Sequence, residues 1–250
     1  MELVLKEEER IDDLEFKELK IIQKVNGFCF GIDSILLSDY AKEIKKGSQV
    51  LDLGCGNGIL EILLATKTPL SKIIGIEIQE EICDMAERSI KLNQLEDKVE
   101  IQCMDIRKTA THLAKGSMDV IITNPPYKKV GTGLKNEEKT KLIARHELLC
   151  SLEDLIQNSS QLLKNKGSFY MVHRPERLAD ILILLRKYKI EPKNLRLVYP
   201  YQAKPPKLVL VKAIKNANAF LKVEEPLIIY QENGKYTSEI LKIYGKGKEE

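Results

Sequence analysis

Short apolar runs alternate along this chain with longer segments whose apolar residues recur every three or four positions. Val50–Leu53, Ile73–Ile78, Val99–Met104, Met118–Thr123 and Gly167–Val172 read as strands. Ile59–Thr66, Glu80–Leu92, Leu152–Leu163 and Arg177–Lys187 read as amphipathic helices between them. Strand and helix in turn predict an α/β fold, a parallel sheet with helices on both faces. The rhythm then changes. Leu195–Tyr199 and Leu208–Ala213 are strands joined by a turn holding Pro200, Pro205 and Pro206. That turn is too short for a crossover helix, so the two should pair antiparallel.

Ahead of this core, Leu14–Phe30 reads as two short strands turned at Asn26-Gly27. A helix follows, capped by Asp33 or Ser34 and showing Ile35, Leu36, Leu37 and Tyr40 on its apolar face. Leu227–Tyr244 reads as edge structure or a docked tail. With no repeat and no low-complexity linker, the expected division is an N-terminal hairpin extension (1–32), one central domain (33–215) and a C-terminal segment (216–250).

Composition adds limits. The 250 residues are 43% hydrophobic and 31% charged, the balance of an ordinary globular chain. No apolar run reaches the length of a membrane span and the acidic start is no signal peptide, so a cytoplasmic protein is expected. Five cysteines and three histidines are scattered without metal-ligand spacing, so no metal is expected. The net charge of +3 hides an asymmetry. Met1–Lys20 carries eight acidic and four basic residues, Lys128–Arg145 six basic and two acidic, and Pro192–Lys215 is basic too. Such unevenness suits a polyanion on one face, or a solvated basic surface.

Candidate chemistry begins at Asp52-Leu53-Gly54-Cys55-Gly56-Asn57-Gly58, a strand end, a tight glycine turn and a helix start. Glycine lets the backbone approach a ligand closely, and the helix start points free N–H groups at it. A dinucleotide site needs G-x-G-x-x-G to seat a pyrophosphate. Here the third glycine comes one residue early and Asp52 would repel a pyrophosphate. Asp52 would instead attract the cationic amino-acid end of S-adenosylmethionine (SAM). Taken alone, such a turn also fits a structural role or another nucleotide.

In an open parallel sheet, ligands bind outside the carboxyl ends of the strands. Successive strands here end on Asp52 with its glycines (Gly54, Gly56, Gly58), on Glu77, on Asp105 and on Asn124-Pro125-Pro126-Tyr127. Glu77 is placed to accept the ribose hydroxyls of a nucleoside. Asp105 is placed to accept from an adenine amino group, with Ile78 and Ile106 on the two faces of the ring. Any one such acid also fits a turn or helix cap. At the fourth strand, two prolines make a stiff turn without donors, leaving the backbone carbonyls before it as acceptors. Asn124 adds a side-chain acceptor and Tyr127 a flat face. Two acceptors and an aromatic plate suit a planar exocyclic amine: Asn124 and the Pro125 carbonyl hold its N–H groups while Tyr127 stacks on its ring.

The glycine loop followed by Asn-Pro-Pro-Tyr resembles the class I SAM-dependent methyltransferases that modify amino groups. Further motifs narrow the likeness. Gly27-Phe28, Phe30-Gly31-x-Asp33, Asn136, Ala144-Arg145-His146-Glu147 and His173-Arg174-Pro175-Glu176-Arg177-Leu178 are similar to bacterial tRNA1(Val) adenine-N6 methyltransferases, over roughly Leu14–Ile214. The resemblance implies a Rossmann-like fold, its mostly parallel seven-stranded sheet ending in a C-terminal antiparallel hairpin. It implies SAM as cofactor, with Phe30, Gly31 and Asp33 closing over its methionine end, and an RNA substrate modified at the adenosine 3′ of the anticodon. Lys128, Lys129, Lys135, Lys139, Lys141 and Arg145 directly follow the Asn-Pro-Pro-Tyr turn and are expected to hold RNA phosphates. A ribosomal RNA methyltransferase, a release-factor glutamine methyltransferase and an inactive RNA-binding relative of the fold stay open. A hydride-transferring dehydrogenase is excluded by the loop spacing.

Overall fold

Val50, Leu51 and Leu53 are fully buried in the central strand of the molecule, and the side each faces follows from the alternation of a strand. Val50 joins one apolar cluster, with Leu36, Leu60, Leu63 and Ile90; Leu51 and Leu53 join the other, with Ile156, Ile181 and Leu185. A strand buried on both faces requires helices on both sides of the sheet. The computed structural model describes residues 5–26, 31–127 and 150–246. Their elements are β1 (Glu9–Asp13), β2 (Lys20–Lys24), α1 (Ile32–Tyr40), β3 (Gln49–Leu53), α2 (Ile59–Lys67), β4 (Lys72–Glu77), α3 (Glu80–Leu92), β5 (Val99–Cys103), α4 (Thr109–His112) and β6 (Met118–Thr123). There follow α5 (Leu152–Leu162), β7 (Leu163–His173), α6 (Leu178–Lys187), β8 (Ile190–Tyr199), β9 (Leu208–Lys215), β10 (Lys222–Val223), β11 (Leu227–Ile228) and α7 (Ser238–Ile243).

The main sheet runs β10-β8-β9-β7-β6-β3-β4-β5, with β11 also on the outer edge of β8. β3, β4, β5, β6 and β7 are parallel, while β9 lies antiparallel between β7 and β8. The seven expected strands and the antiparallel hairpin are therefore present. The short β10 and β11 extend the sheet, pairing parallel to β8. The chain moves outward from β3 to β5 and then returns to place β6 on the other side of β3. The order thus reverses between β3 and β6, and it is at the carboxyl ends beside such a reversal that open α/β sheets bind ligands. Both the glycine loop and Asn124 leave from this point.

Two expectations shift. The N-terminal hairpin pairs Glu9–Asp13 with Lys20–Lys24, so its turn lies at residues 14–19 and Asn26 follows the second strand. The buried Leu14 and Leu19 close that turn through a Leu14 N–H to Leu19 carbonyl bond of 2.8 Å. Glu15, Lys17 and Glu18 take positive φ there without glycine, which is why the dipeptide signal pointed elsewhere. The hairpin docks on α3: Arg88 grips both oxygens of Glu9 at 2.6 and 2.7 Å, and Ser89 accepts from the Ile22 N–H. β8 also begins earlier than expected, running through Pro192 with a register irregularity between Pro192 and Asn194. A proline cannot complete a regular ladder.

The last segment combines both expected forms. Leu227–Ile228 pairs on the sheet edge, and α7 docks through the buried Ile240 and Ile243 on the same cluster as α1.

Candidate active site

The turn after β3 is pinned before it reaches the ligand side. The N–H groups of Gly54 and Cys55 both donate to the Ile76 carbonyl on β4, each at 2.9 Å. Gly58 starts α2 with φ of 87°, a left-handed conformation that a side chain would resist. Beneath the turn lie two carboxyl groups with no exposed surface, Asp52 on β3 and Glu61 on α2. Gly75 makes room for Glu61, since a Cβ there would come within 2.6 Å of Glu61 Oε1. Neither carboxyl receives an N–H or O–H from another described residue, yet the two lie within hydrogen-bond reach of each other. Burial, then mutual repulsion, raises Asp52 well above the carboxylate range, and burial raises Glu61 to about 7. Each therefore holds its proton to a higher pH than an exposed carboxyl does.

At the end of β4, Glu77 is 7% exposed and accepts through Oε1 from the N–H groups of Ile78 and Gln79 at 2.8 and 2.9 Å. Its Oε2 takes no bond from a described residue. After β5, Asp105 accepts from the Arg107 N–H and pairs with the Arg107 guanidinium, a bond that holds its carboxyl below the usual range. It therefore caps the short 3-10 turn at Ile106–Lys108. Ile106 leans over the loop, its Cδ1 4.0 Å from where a Gly54 Cβ would sit, and Ile78 is half-buried beside Glu77.

Asn124 is anchored on both sides. Just before it, the Thr123 hydroxyl donates to the Leu53 carbonyl at 2.7 Å, tying β6 to the root of the glycine loop. Asn124 Nδ2 then donates to Ser34 Oγ on α1 at 2.9 Å, which fixes its amide so that Oδ1 is the oxygen facing Tyr127. The Tyr127 hydroxyl donates to that Oδ1. Tyr127 is thus turned inward, where an open plate was expected. Its ring meets His173 edge-on at 5.1 Å and carries the Arg174 guanidinium 5.1 Å from its centre. Asp33, in the first turn of α1, lies within hydrogen-bond reach of the same hydroxyl. Burial raises the Asp33 carboxyl, while Tyr127 and Arg174 oppose the rise. His173 Nδ1 accepts from the Arg174 N–H at 2.8 Å, and burial lowers this histidine to about 4, so it is neutral.

Glu61 enters the site unannounced by the sequence, Ser34 enters it as the partner of Asn124 where a helix cap was expected, and His173 and Arg174 gain contacts to Tyr127 that their motif did not imply. Gly31 stands at the N-cap of α1 and is exposed, while Asp33 and Ser34, expected as caps, lie inside the helix, which has no side-chain cap bond. Phe30, Lys128, Lys129, Lys135, Lys139, Lys141 and Arg145, with Asn136 and the motif at 144–147, lie outside the described residues. Among the described residues no group of three or more His, Cys, Asp or Glu is placed to hold a metal ion, and no helix is long and apolar enough to cross a membrane.

A glycine turn and an Asn-Pro-Pro turn on adjacent strands at a switch point accompany a match to the family described as "Methyltransferase small domain", over residues 19–187. The chain belongs to that family. Among its curated relatives is the tRNA1(Val) (adenine(37)-N6)-methyltransferase of Porphyromonas gingivalis, 28% identical and covering 93% of both chains. The enzyme of the same name from Bacteroides fragilis is 25% identical over 92% of this chain and 94% of its own. A similar solved structure is a predicted O-methyltransferase from Agrobacterium tumefaciens, with TM-score 0.68, 21% identity, and coverage of 86% of this chain and 97% of that one. M. jannaschii TYW2, solved in complex with AdoMet, gives TM-score 0.57 at 18% identity, covering 84% and 87%.

The expected Rossmann-like, SAM-dependent methyltransferase agrees with this membership. The residues of this methyltransferase domain also suit the cofactor. Glu77 keeps a second oxygen for a hydroxyl, and the carboxyls of Asp52 and Glu61 keep acceptor oxygens under the glycine turn that no described residue takes.

Proposed function

We propose that this chain methylates N6 of an adenine in RNA, the adenosine 3′ of the anticodon of tRNA1(Val). The observation that carries the chemistry is Asn124 at the end of β6, its amide locked by Ser34 so that Oδ1 is an acceptor met by the Tyr127 hydroxyl. The likeness to tRNA1(Val) methyltransferases across nearly the whole chain supports the choice of RNA and base. In this reading the protein works in the cytoplasm, where tRNA is modified.

Bound SAM would supply an electrophilic methyl group. Glu77 Oε2 would take the ribose, Ile78 and Ile106 the faces of the adenine, Asp105 its amino group, and Asp52, Gly31 and Asp33 the methionine end. Asp105 would do so with whatever acceptor capacity its pairing with Arg107 leaves.

The target amine is a weak nucleophile because its lone pair is spread into the ring. Asn124 Oδ1 and the Pro125 carbonyl would each accept one N–H, holding the nitrogen in line and stabilising the positive charge that develops on it. The nitrogen would gain the methyl group while the sulfonium sulfur kept the electron pair of the S–C bond, and the extra proton on nitrogen would then pass to water. Asn124 stays an acceptor throughout.

An amide oxygen accepts two bonds, so the amine can join the Tyr127 hydroxyl on Oδ1 or displace it, and displacement releases the tyrosine. Its ring then becomes available to stack on the flipped base, a rearrangement that accompanies the cost of unstacking the base, roughly a few kcal/mol. Lys128, Lys129, Lys135, Lys139, Lys141 and Arg145 would hold the flanking phosphates.

Mass spectrometry of nucleosides from tRNA and ribosomal RNA of a strain lacking the protein tests the assignment. Loss of N6-methyladenosine from tRNA1(Val) is expected; loss from ribosomal RNA alone would overturn the choice of RNA.

A further inference from the structure

Three tyrosines stack in a row and a fourth leans on its end. Tyr244 lies on Tyr236 at 5.5 Å and 18°, Tyr236 on Tyr230 at 5.4 Å and 14°, and Tyr230 on Tyr201 at 5.4 Å and 34°. Lys246 covers the inner end, 5.9 Å from the Tyr244 ring. Tyr201 ends the row. It is 37% exposed, and Tyr230 is the only ring it meets among the described residues.

The row lies on the substrate side of the sheet. β8 runs parallel to β6 and β7, so the loop from Pro200 to Lys207 emerges at the same carboxyl edge as Asn124. The Lys207 N–H closes this loop on the Val198 carbonyl at 2.8 Å. The Lys207 carbonyl accepts from Arg174 Nη1 at 3.1 Å, and that guanidinium covers the Tyr127 ring. A direct run of contacts thus joins the loop to the catalytic turn.

The loop's chemistry is that of a partner with flat rings and negative charge. Residues 192–215 hold Lys193, Arg196, Lys204, Lys207, Lys212 and Lys215 and no acidic residue. Within this stretch Lys204 and Lys207 are exposed and make no ion pair with a described residue. Pro200, Pro205 and Pro206 stiffen the loop, so Tyr201 loses little freedom on binding. Aromatic faces beside a basic track are how single-stranded nucleic acid is held without base-pair readout.

We infer that Tyr201 is the outer step of a stacking platform: a nucleobase near the target adenine extends the tyrosine row, and Lys204 and Lys207 hold its phosphates. The inference rests on RNA being the substrate and adds a second contact region, distinct from the segment after Tyr127.

The test measures binding of a tRNA1(Val) anticodon stem-loop by fluorescence anisotropy over a salt series, using the full chain and its variants. Tyr201→Ala should bind roughly tenfold more weakly, as expected for removal of one base–aromatic stack, and Tyr201→Phe should bind as the wild type does. Lys204→Ala should lower the log–log salt slope by about one unit. Melting temperature and SAM affinity should be unchanged in all three, which separates missing stacking from a loosened tail. Wild-type affinity in Tyr201→Ala, with the wild-type protein methylating the RNA, would overturn the platform and leave the activity standing. A wild-type chain that neither binds nor methylates the stem-loop would overturn both.

Discussion

The hydroxyl of Tyr127 donates to Oδ1 of Asn124, the oxygen that the proposed chemistry needs for the substrate amine. A tyrosine in that place keeps the acceptor satisfied while no base is present, since an unpaired buried acceptor costs about 1–3 kcal/mol. The pair predicts two different variants. Asn124→Ala should lower turnover by roughly two to three orders of magnitude, the effect of removing one key transition-state hydrogen bond, with SAM affinity nearly unchanged. Tyr127→Phe keeps the ring and removes the competing donor, so it should retain far more activity than Asn124→Ala. Single-turnover rates with calorimetry of SAM binding check both. A loss of SAM affinity in Asn124→Ala would place that residue in the wrong role.

Glu77 should define the ribose grip, because Oε1 is committed to the Ile78 and Gln79 N–H groups while Oε2 is free of described donors. Glu77→Ala should weaken SAM by about 1.5–3 kcal/mol for each hydrogen bond that this charged acceptor no longer takes. Calorimetry giving wild-type affinity would reject the assignment.

Asp52 and Glu61 make stability depend on pH. Both hold protons in the folded chain beyond the range in which they release them unfolded. The folded state therefore binds more protons than the unfolded state as pH rises from the ordinary glutamate value of 4.5 towards about 7, and this pair's contribution falls across that window. Glu61→Gln removes one titrating group and should flatten the decline. Urea titrations at a series of pH values measure it; equal slopes for wild type and Glu61→Gln would contradict a raised Glu61 carboxyl.

The segment after Tyr127 should act through charge. Neutralising Lys128 and Lys129 together should weaken RNA binding and lower its log–log salt slope by about one unit for each phosphate no longer neutralised. An unchanged salt series would leave these lysines as solvated surface.

Much of the fold is legible in the sequence because strong local signals agree. Glu80–Leu92 and Met118–Thr123 have the bounds read from their apolar spacing, and the four polar strand ends meet on one edge because consecutive parallel strands must place them there. Contacts made by return of the chain are not legible in the same way. Ser34 meets Asn124 across ninety residues, and Arg174 reaches Tyr127 only because β7 is placed beside β6. Glu61 stands in the sequence as a polar break in an apolar helix stripe, and nothing local says that Gly75 leaves it room against Asp52. The N-terminal hairpin departs from expectation for a similar reason, since its turn uses glutamates and a lysine at positive φ where a glycine signal lies nearby.

The central claim is transfer of a methyl group to one adenosine of one RNA. Purified protein with methyl-labelled SAM should label an unmodified tRNA1(Val) transcript and leave unlabelled the same transcript with guanosine in place of the adenosine 3′ of the anticodon. Equal labelling of both transcripts, or labelling of ribosomal RNA only, would contradict it.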